Sequence, residues 1–148
     1  MRVKRLALTN FRSYKELDLE FAPGPTTFIG NNGSGKTNIA ESLIYLAYLS
    51  SHRVSTNQPL LALRSDQAII RAEIERDNRS LQVDLEINAS KANRARLNSN
   101  PVKSQREILG ALQIVYFSPE DLDLVRGEPT DRRNFLDKLL ITQSPLLS

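Results

Sequence analysis

A mixed α/β fold is predicted for this chain of 148 residues by three features. Two stretches of alternating apolar and polar residues open it. A glycine-rich loop, residues 30–37, follows a short apolar run and leads into helical spacing. A further pair of alternating stretches meets at Asp77-Asn78.

The elements follow in order. Val3, Leu6 and Leu8 sit among polar residues, and Leu17, Leu19 and Phe21 alternate with Glu16, Asp18 and Glu20, so both stretches read as half-buried strands. "TNFRSY" between them is a turn that presents Arg12. Pro23, Gly24 and Pro25 break the chain, and "TTFI" is predicted as a short buried strand. From Lys36, Ile39, Leu43, Ile44, Ala47 and Tyr48 recur at helical spacing, giving a helix to about Leu49. "SSHRVSTNQP" is a polar loop, with a short helix expected at "PLLALR". "QAIIRAEIERDNRSLQVDLEINA" reads as two strands with Asp77-Asn78 at the tip of the hairpin. A basic, polar segment runs from Lys91 to Arg106, with a turn at "NSNP". Ser104 and Glu107 form a capping box at the start of "SQREILGAL". "QIVYF" is a second expected buried strand, and "SPED" repeats the cap pattern with Pro119 at the first helical position. "TDRRNFLDKLLITQ" places Phe135, Leu136, Leu139 and Leu140 on one helical stripe, which nothing before Ser148 is long enough to cover.

Composition narrows the function classes. Apolar residues at 40% and charged residues at 25% fit a packed globular domain rather than a disordered one. No apolar run approaches the roughly 20 residues that cross a bilayer, and "MRVKRLALTNF" lacks the continuous apolar stretch of an export signal. The absence of cysteine rules out disulfides and thiolate metal sites, and a single histidine, His52, argues against a histidine-based one. The cytoplasm is the expected compartment. A net charge of +3 suits a polyanionic partner without requiring one.

Gly30, Gly33, Gly35, Lys36 and Thr37 satisfy G-x-x-x-x-G-K-[ST], the phosphate loop of P-loop NTPases. Glycines allow positive φ and let backbone N–H groups approach phosphate oxygens. A helix starting at Lys36 adds its positive end. Lys36 is expected at the β- and γ-phosphates, and the Thr37 hydroxyl at Mg²⁺. Asn31, Asn32, Ser34 and Asn38 complete the candidate ATP-binding loop. The N-K-x-D tetrapeptide of GTPases is missing. Two strands and Arg12 precede the loop, which suggests the ATP-binding-cassette class of ATPase heads. No acidic residue stands at the end of a second apolar strand, and no serine-glycine signature appears, so the chain holds half an active site.

Four stretches carry a closer resemblance: "LTNFRSY" at 8–14, "GNNGSGKTN" at 30–38, "SHR" at 51–53 and "FSPEDLDLVRGEPTDRRNFLD" at 117–137. They resemble the N-terminal part of the RecF family, bacterial recombination-mediator and replication-repair ATPases related to SMC heads. Pro119, Glu120, Leu124, Val125, Gly127, Pro129, Arg132, Arg133, Phe135, Leu136 and Asp137 fall on the family pattern. Glu128 departs from it, where the family has a small residue. The resemblance implies an ABC-like first lobe over 1–117 and the start of a helical lobe over 118–148, with the sequence truncated before its signature and second acidic motifs. It implies an ATP-dependent homodimer that binds single-strand/duplex junctions at gaps and works with RecO and RecR to help load RecA. DNA repair, replication, recombination and the SOS response to DNA damage are the implied processes. The parent would be a slow DNA-dependent ATPase and these residues alone inactive. Arg12 matches a position where SMC-like heads set a basic residue against the nucleotide phosphates.

Lys91, Arg94, Arg96, Lys103 and Arg106 form the densest basic run, a candidate DNA-backbone contact or a solvated hairpin. Without aromatic residues among them, base stacking is not suggested. Two other functions remain open from the residues: a stand-alone P-loop phosphotransferase, and a non-catalytic DNA-binding module.

Overall fold

The computed structural model describes residues 1–51, 53–117, 133 and 136. Six strands occur among them: β1 (Arg2–Phe11), β2 (Tyr14–Glu20), β3 (Gln67–Arg76), β4 (Arg79–Asn88), β5 (Arg94–Leu97) and β6 (Asn100–Pro101). They lie side by side in the order β2-β1-β3-β4-β5-β6. Every neighbouring pair is antiparallel.

The alternation in the sequence sets the two faces. Leu6 and Leu8 of β1, Ala68, Ile70, Ala72 and Ile74 of β3, and Val83, Leu85 and Ile87 of β4 are buried on one side. The charged residues between them, such as Glu73, Arg71, Asp84 and Glu86, take the other, as a period of two requires. Ion pairs lace that outer side: Arg2 to Glu75 at 2.5 Å, Lys4 to Glu73 at 2.9 Å, and Arg5 to Asp18. The β3–β4 hairpin turns at Asp77 and Asn78, with φ of 51° and 59°. Two successive left-handed residues match the twist of the paired strands, which is why the tip carries Asp and Asn.

The helix predicted from Lys36 is present as α1 (Lys36–Tyr48). It stops at Leu49, which still donates its N–H to the Tyr45 carbonyl at 2.8 Å but whose φ of 54° turns the following chain out of the helix. Ile39, Tyr45, Leu46 and Ala47 share one apolar core with the inner face of the sheet and with Leu60, Leu61, Ile108 and Leu112. A fully buried leucine such as Leu46 contributes about 1.5–3 kcal/mol by its removal from water.

Two strand expectations are corrected. "TTFI" and "QIVYF" form no strand, and Ile29, Val115 and Phe117 are 92%, 99% and 77% exposed. A strand exists only where a neighbour accepts and donates its backbone hydrogen bonds, and neither segment makes a backbone hydrogen bond to any of the six strands. The described sheet therefore lacks the parallel portion of a mixed sheet. Phe28 instead stands edge-on to Phe21, ring centroids 6.4 Å apart. The short helix expected at "PLLALR" is a single 3-10 turn at Gln58–Leu60. The Ser104–Glu107 capping box forms, yet it opens only one 3-10 turn, Gln105–Ile108, before Gly110 at φ 83°.

The lobe boundary near Ser118, the "SPED" cap and most of "TDRRNFLDKLLITQ" lie outside the described residues; Arg133 and Leu136 are helical and exposed. Among the described residues no helix is long and apolar enough to cross a membrane.

Candidate functional site

The glycine loop sits at the mouth of α1. Gly35, the residue before the helix, has φ 94°, and Gly33 has φ 81°. These conformations favour glycine, which carries no Cβ to strain them. At Gly35 space matters as well: a Cβ would lie 2.8 Å from both Ser13 Oγ and Tyr14 Oη. Gly33 by contrast faces open space. The β1–β2 turn thus packs directly on the loop, with Asn38 Nδ2 donating to Ser13 Oγ at 3.0 Å and Tyr14 Oη to the Ser34 carbonyl at 3.4 Å.

The loop backbone is partly folded on itself. The Ser34 N–H donates to the Asn31 carbonyl at 3.2 Å. The amides of Gly33, Gly35, Lys36 and Thr37 make no backbone bond among the described residues, as expected where a helix begins. Lys36 Nζ reaches back over the loop to the carbonyls of Gly30 at 2.8 Å and Asn31 at 2.7 Å. Unpaired amides, a helix N-terminus and a positive ammonium in one place favour a bound anion. Gly30, Asn31, Asn32, Ser34 and Thr37 are exposed.

Arg12 lies next to this loop but is otherwise engaged. Its Nε and Nη2 bind the two oxygens of Glu41, at 2.9 and 2.6 Å, and its Nη1 donates to the Pro59 carbonyl at 2.7 Å. Glu41 is wholly buried and also accepts from Ser51 Oγ at 2.6 Å, with Arg53 Nη1 at 3.5 Å. Burial alone would raise its pKa. The Arg12 and Ser51 hydrogen bonds and the two guanidinium charges outweigh that and hold it below the ordinary 4.5. Sequence reasoning missed Glu41; Ser13, Tyr14, Ser51 and Arg53 lie in the "LTNFRSY" and "SHR" stretches, which carry the family resemblance but assign them no role. A signal for Glu41 was there: it is the lone acid in α1, three and four residues before the buried Ile44 and Tyr45.

The basic run is divided by the fold. Arg94 and Arg96 stand on the outer face of β5, opposite Glu86 and Asp84 in register. Lys91 and Lys103 instead line an open cleft of about 500 Å³ with Tyr45, Leu49, Asn57, Asn93 and Gln105. Tyr45 Oη donates to Asn57 Oδ1 at 3.0 Å there, and Gln105 Oε1 is buried without a hydrogen-bond partner among the described residues. Arg106 belongs to the 3-10 turn beside it, its N–H on Ser104 Oγ at 3.3 Å. This cleft is toward the far end of α1 from the glycine loop: Tyr45 and Leu49 lie about 14 to 20 Å from Lys36 along the helix axis at 1.5 Å per residue. Among the described residues no group of three His, Asp or Glu side chains can hold a metal ion.

The AAA domain family matches residues 5–140. The chain belongs to that family. Over its whole length it is 51% identical to the DNA replication and repair protein RecF of Kineococcus radiotolerans, matching 38% of that protein. To the RecF of Paenarthrobacter aurescens it is 53% identical over 98% of the chain, matching 36% of the relative. The chain thus spans less than two-fifths of the length of these relatives. Among solved structures, that of the recombination mediator protein RecF-ATP superposes with a TM-score of 0.87 at 29% identity, over 95% of this chain and 39% of the other. A structure of an SMC ATPase gives 0.69 at 22% identity, over 93% and 98%, a likeness of fold. The AAA-family fold here is therefore that of a RecF- and SMC-type ATPase head lobe, represented by its antiparallel sheet and the loop-bearing helix.

Proposed function

We propose that this chain is the ATP-binding lobe of a RecF-type DNA-repair ATPase. The observation that carries the reading is the glycine loop: left-handed Gly33 and Gly35, unpaired amides and the Lys36 ammonium converge at one helix mouth. Similarity to a RecF structure described with ATP supports the same choice of ligand. When a triphosphate binds, Lys36 exchanges its own loop carbonyls for phosphate oxygens, and the glycine amides take the remaining charge. Mg²⁺ would neutralise phosphate charge, with the Thr37 hydroxyl as the ligand this chain offers. Asn38, tied to Ser13, holds the β1–β2 turn against the loop.

In this reading the full-length protein dimerises when ATP binds, recognises DNA where single and double strands meet, and acts with RecO and RecR toward RecA loading in the cytoplasm. Residues 1–117 form the nucleotide lobe and 118–148 begin a helical one. Lys91, Arg94, Arg96, Lys103 and Arg106 are the candidate DNA-backbone contacts, with Lys91 and Lys103 at the cleft favoured over the outer-face Arg94 and Arg96. Recombination and the SOS response are the processes served.

Lys36→Ala tests this reading. Sedimentation of the full-length variant is expected to show no ATP-induced dimer and titration no ATP binding. Unchanged ATP-dependent dimers in that variant would overturn the proposal.

A further inference from the structure

Glu41 is the only buried charged side chain among the described residues. Its two oxygens gather three segments of chain: Arg12 from the β1–β2 turn, α1 itself, and Ser51 with Arg53 from the following loop. Burying an ion pair is expensive, and apolar residues of like volume often stabilise a fold as well or better. Stability alone is a weak reason for a carboxylate at this place. Position is a stronger one.

Arg12 occupies the left-handed region, φ 53°, without being Gly, Asn or Asp. The surroundings over-determine it: its N–H reaches the Leu60 carbonyl at 2.7 Å, its Nη1 the Pro59 carbonyl, and its remaining edge the Glu41 carboxylate. The next two residues are Ser13 and Tyr14, whose oxygens close on Gly35 and bind Asn38 and Ser34. One buried acid therefore anchors the turn that walls the glycine loop. Arg53 adds a link to the same wall, its Nη1 lying 3.5 Å from Glu41 Oε2 and 3.5 Å from Asn38 Oδ1.

We propose that Glu41 is a positioning residue for the phosphate loop. Its carboxylate holds Arg12 and Arg53 so that the Arg12–Tyr14 turn fixes the loop at Gly35 and Asn38 in the shape that receives phosphate. The inference rests on the reading that this loop binds a nucleotide. Glu41 itself touches no ligand in this scheme.

The experiment is a titration of the full-length protein with a fluorescent ATP analogue. Glu41→Gln removes the charge at nearly constant shape, and ATP affinity is expected to fall by about tenfold, the scale seen when outer partners of a binding group are lost. Loss of stability is separated by a control in the core, Ile74→Val or Ile74→Ala, chosen to match the drop in melting temperature. Ile74 pairs with Val3, eight residues along β1 from Phe11, or about 26 Å at the usual rise. Equal ATP affinity in Glu41→Gln and the matched core variant overturns the proposal. If Glu41→Gln does not fold, Glu41→Asp carries the comparison: it keeps the charge one methylene short, so weakened binding at matched stability supports the proposal and wild-type binding overturns it. Lys36→Ala separates the two levels of argument. Lost binding there with unchanged binding in Glu41→Gln overturns this inference alone; unchanged binding in Lys36→Ala overturns the loop reading and this inference together.

Discussion

Arg12 closes on both oxygens of the wholly buried Glu41, Nε at 2.9 Å and Nη2 at 2.6 Å. A two-point contact in a dry setting couples the β1–β2 turn to the second turn of α1. Removing the guanidinium would strand a negative charge in the interior, with Ser51 and the more distant Arg53 left to compensate. Arg12→Ala is expected to destabilise the protein by about 3 kcal/mol, the lower end for a broken buried pair. Urea denaturation measures it, and a loss below about 1 kcal/mol, the size of an exposed pair, would contradict the structural role.

The same carboxylate makes a pH signature. Burial pushes the Glu41 pKa up, but the Arg12 and Ser51 hydrogen bonds and the neighbouring charges bring it below 4.5. The unfolded chain then binds this proton more tightly than the folded one, so stability from the pair is complete above about pH 4.5 and is lost as pH falls through the lower folded value. Comparison of wild type with Glu41→Gln by denaturant midpoint should give a constant difference from neutral pH down to about 5, shrinking below that. A difference that stays constant under acid conditions would count against the assignment.

The two loop glycines should respond differently to a methyl group. Gly33→Ala meets only the left-handed backbone cost, about 1–2 kcal/mol, because nothing lies within 4 Å of its Cβ position. Gly35→Ala adds a clash with Ser13 Oγ and Tyr14 Oη at 2.8 Å. It is expected to cost more stability and to weaken ATP binding further, as read by thermal melts and nucleotide titration. A smaller effect at Gly35 than at Gly33 would show that the β1–β2 turn yields easily.

These contacts also indicate what a sequence reveals. The β3–β4 hairpin was readable because its cause is local: alternation to either side of Asp77-Asn78 fixes both faces and the turn. Helix α1 was readable from its spacing for the same reason. "TTFI" and "QIVYF" have strand-forming composition, but a strand depends on its neighbour, and composition carries no knowledge of who that neighbour is. At the site, the glycines and Lys36 were legible because phosphate binding uses a contiguous loop. The Arg12–Glu41 contact joins residues 29 apart in sequence, so no spacing rule could disclose it. The basic run is divided by a feature that composition does not show. It looked continuous, yet only Arg94 and Arg96 belong to β5, on one face of it, while Lys91 and Lys103 flank the strand and line the cleft.

That division of the basic run gives a sharp expectation for DNA. Lys91 and Lys103 share the rim of one cleft and make no ion pair among the described residues. Arg94 and Arg96 face a different fate: Glu86 and Asp84 stand opposite them in register, and Asp84 already bridges Arg71 at 3.2 Å. Neither arginine makes an ion pair among the described residues, but the carboxylates opposite lower the positive potential a phosphate would feel there. At the lysines it meets uncompensated charge, and each contact made releases counterions from the duplex. The salt slope of log affinity is about −0.9 per neutralised phosphate on duplex DNA. Replacing both lysines with alanine in the full-length protein should therefore weaken binding across all sequences and flatten that slope by about 2. Arg94→Ala with Arg96→Ala should leave the slope nearly unchanged. Fluorescence anisotropy with labelled duplex over a range of salt decides between them, and the reverse result would move the DNA path from the cleft to the outer face of β5.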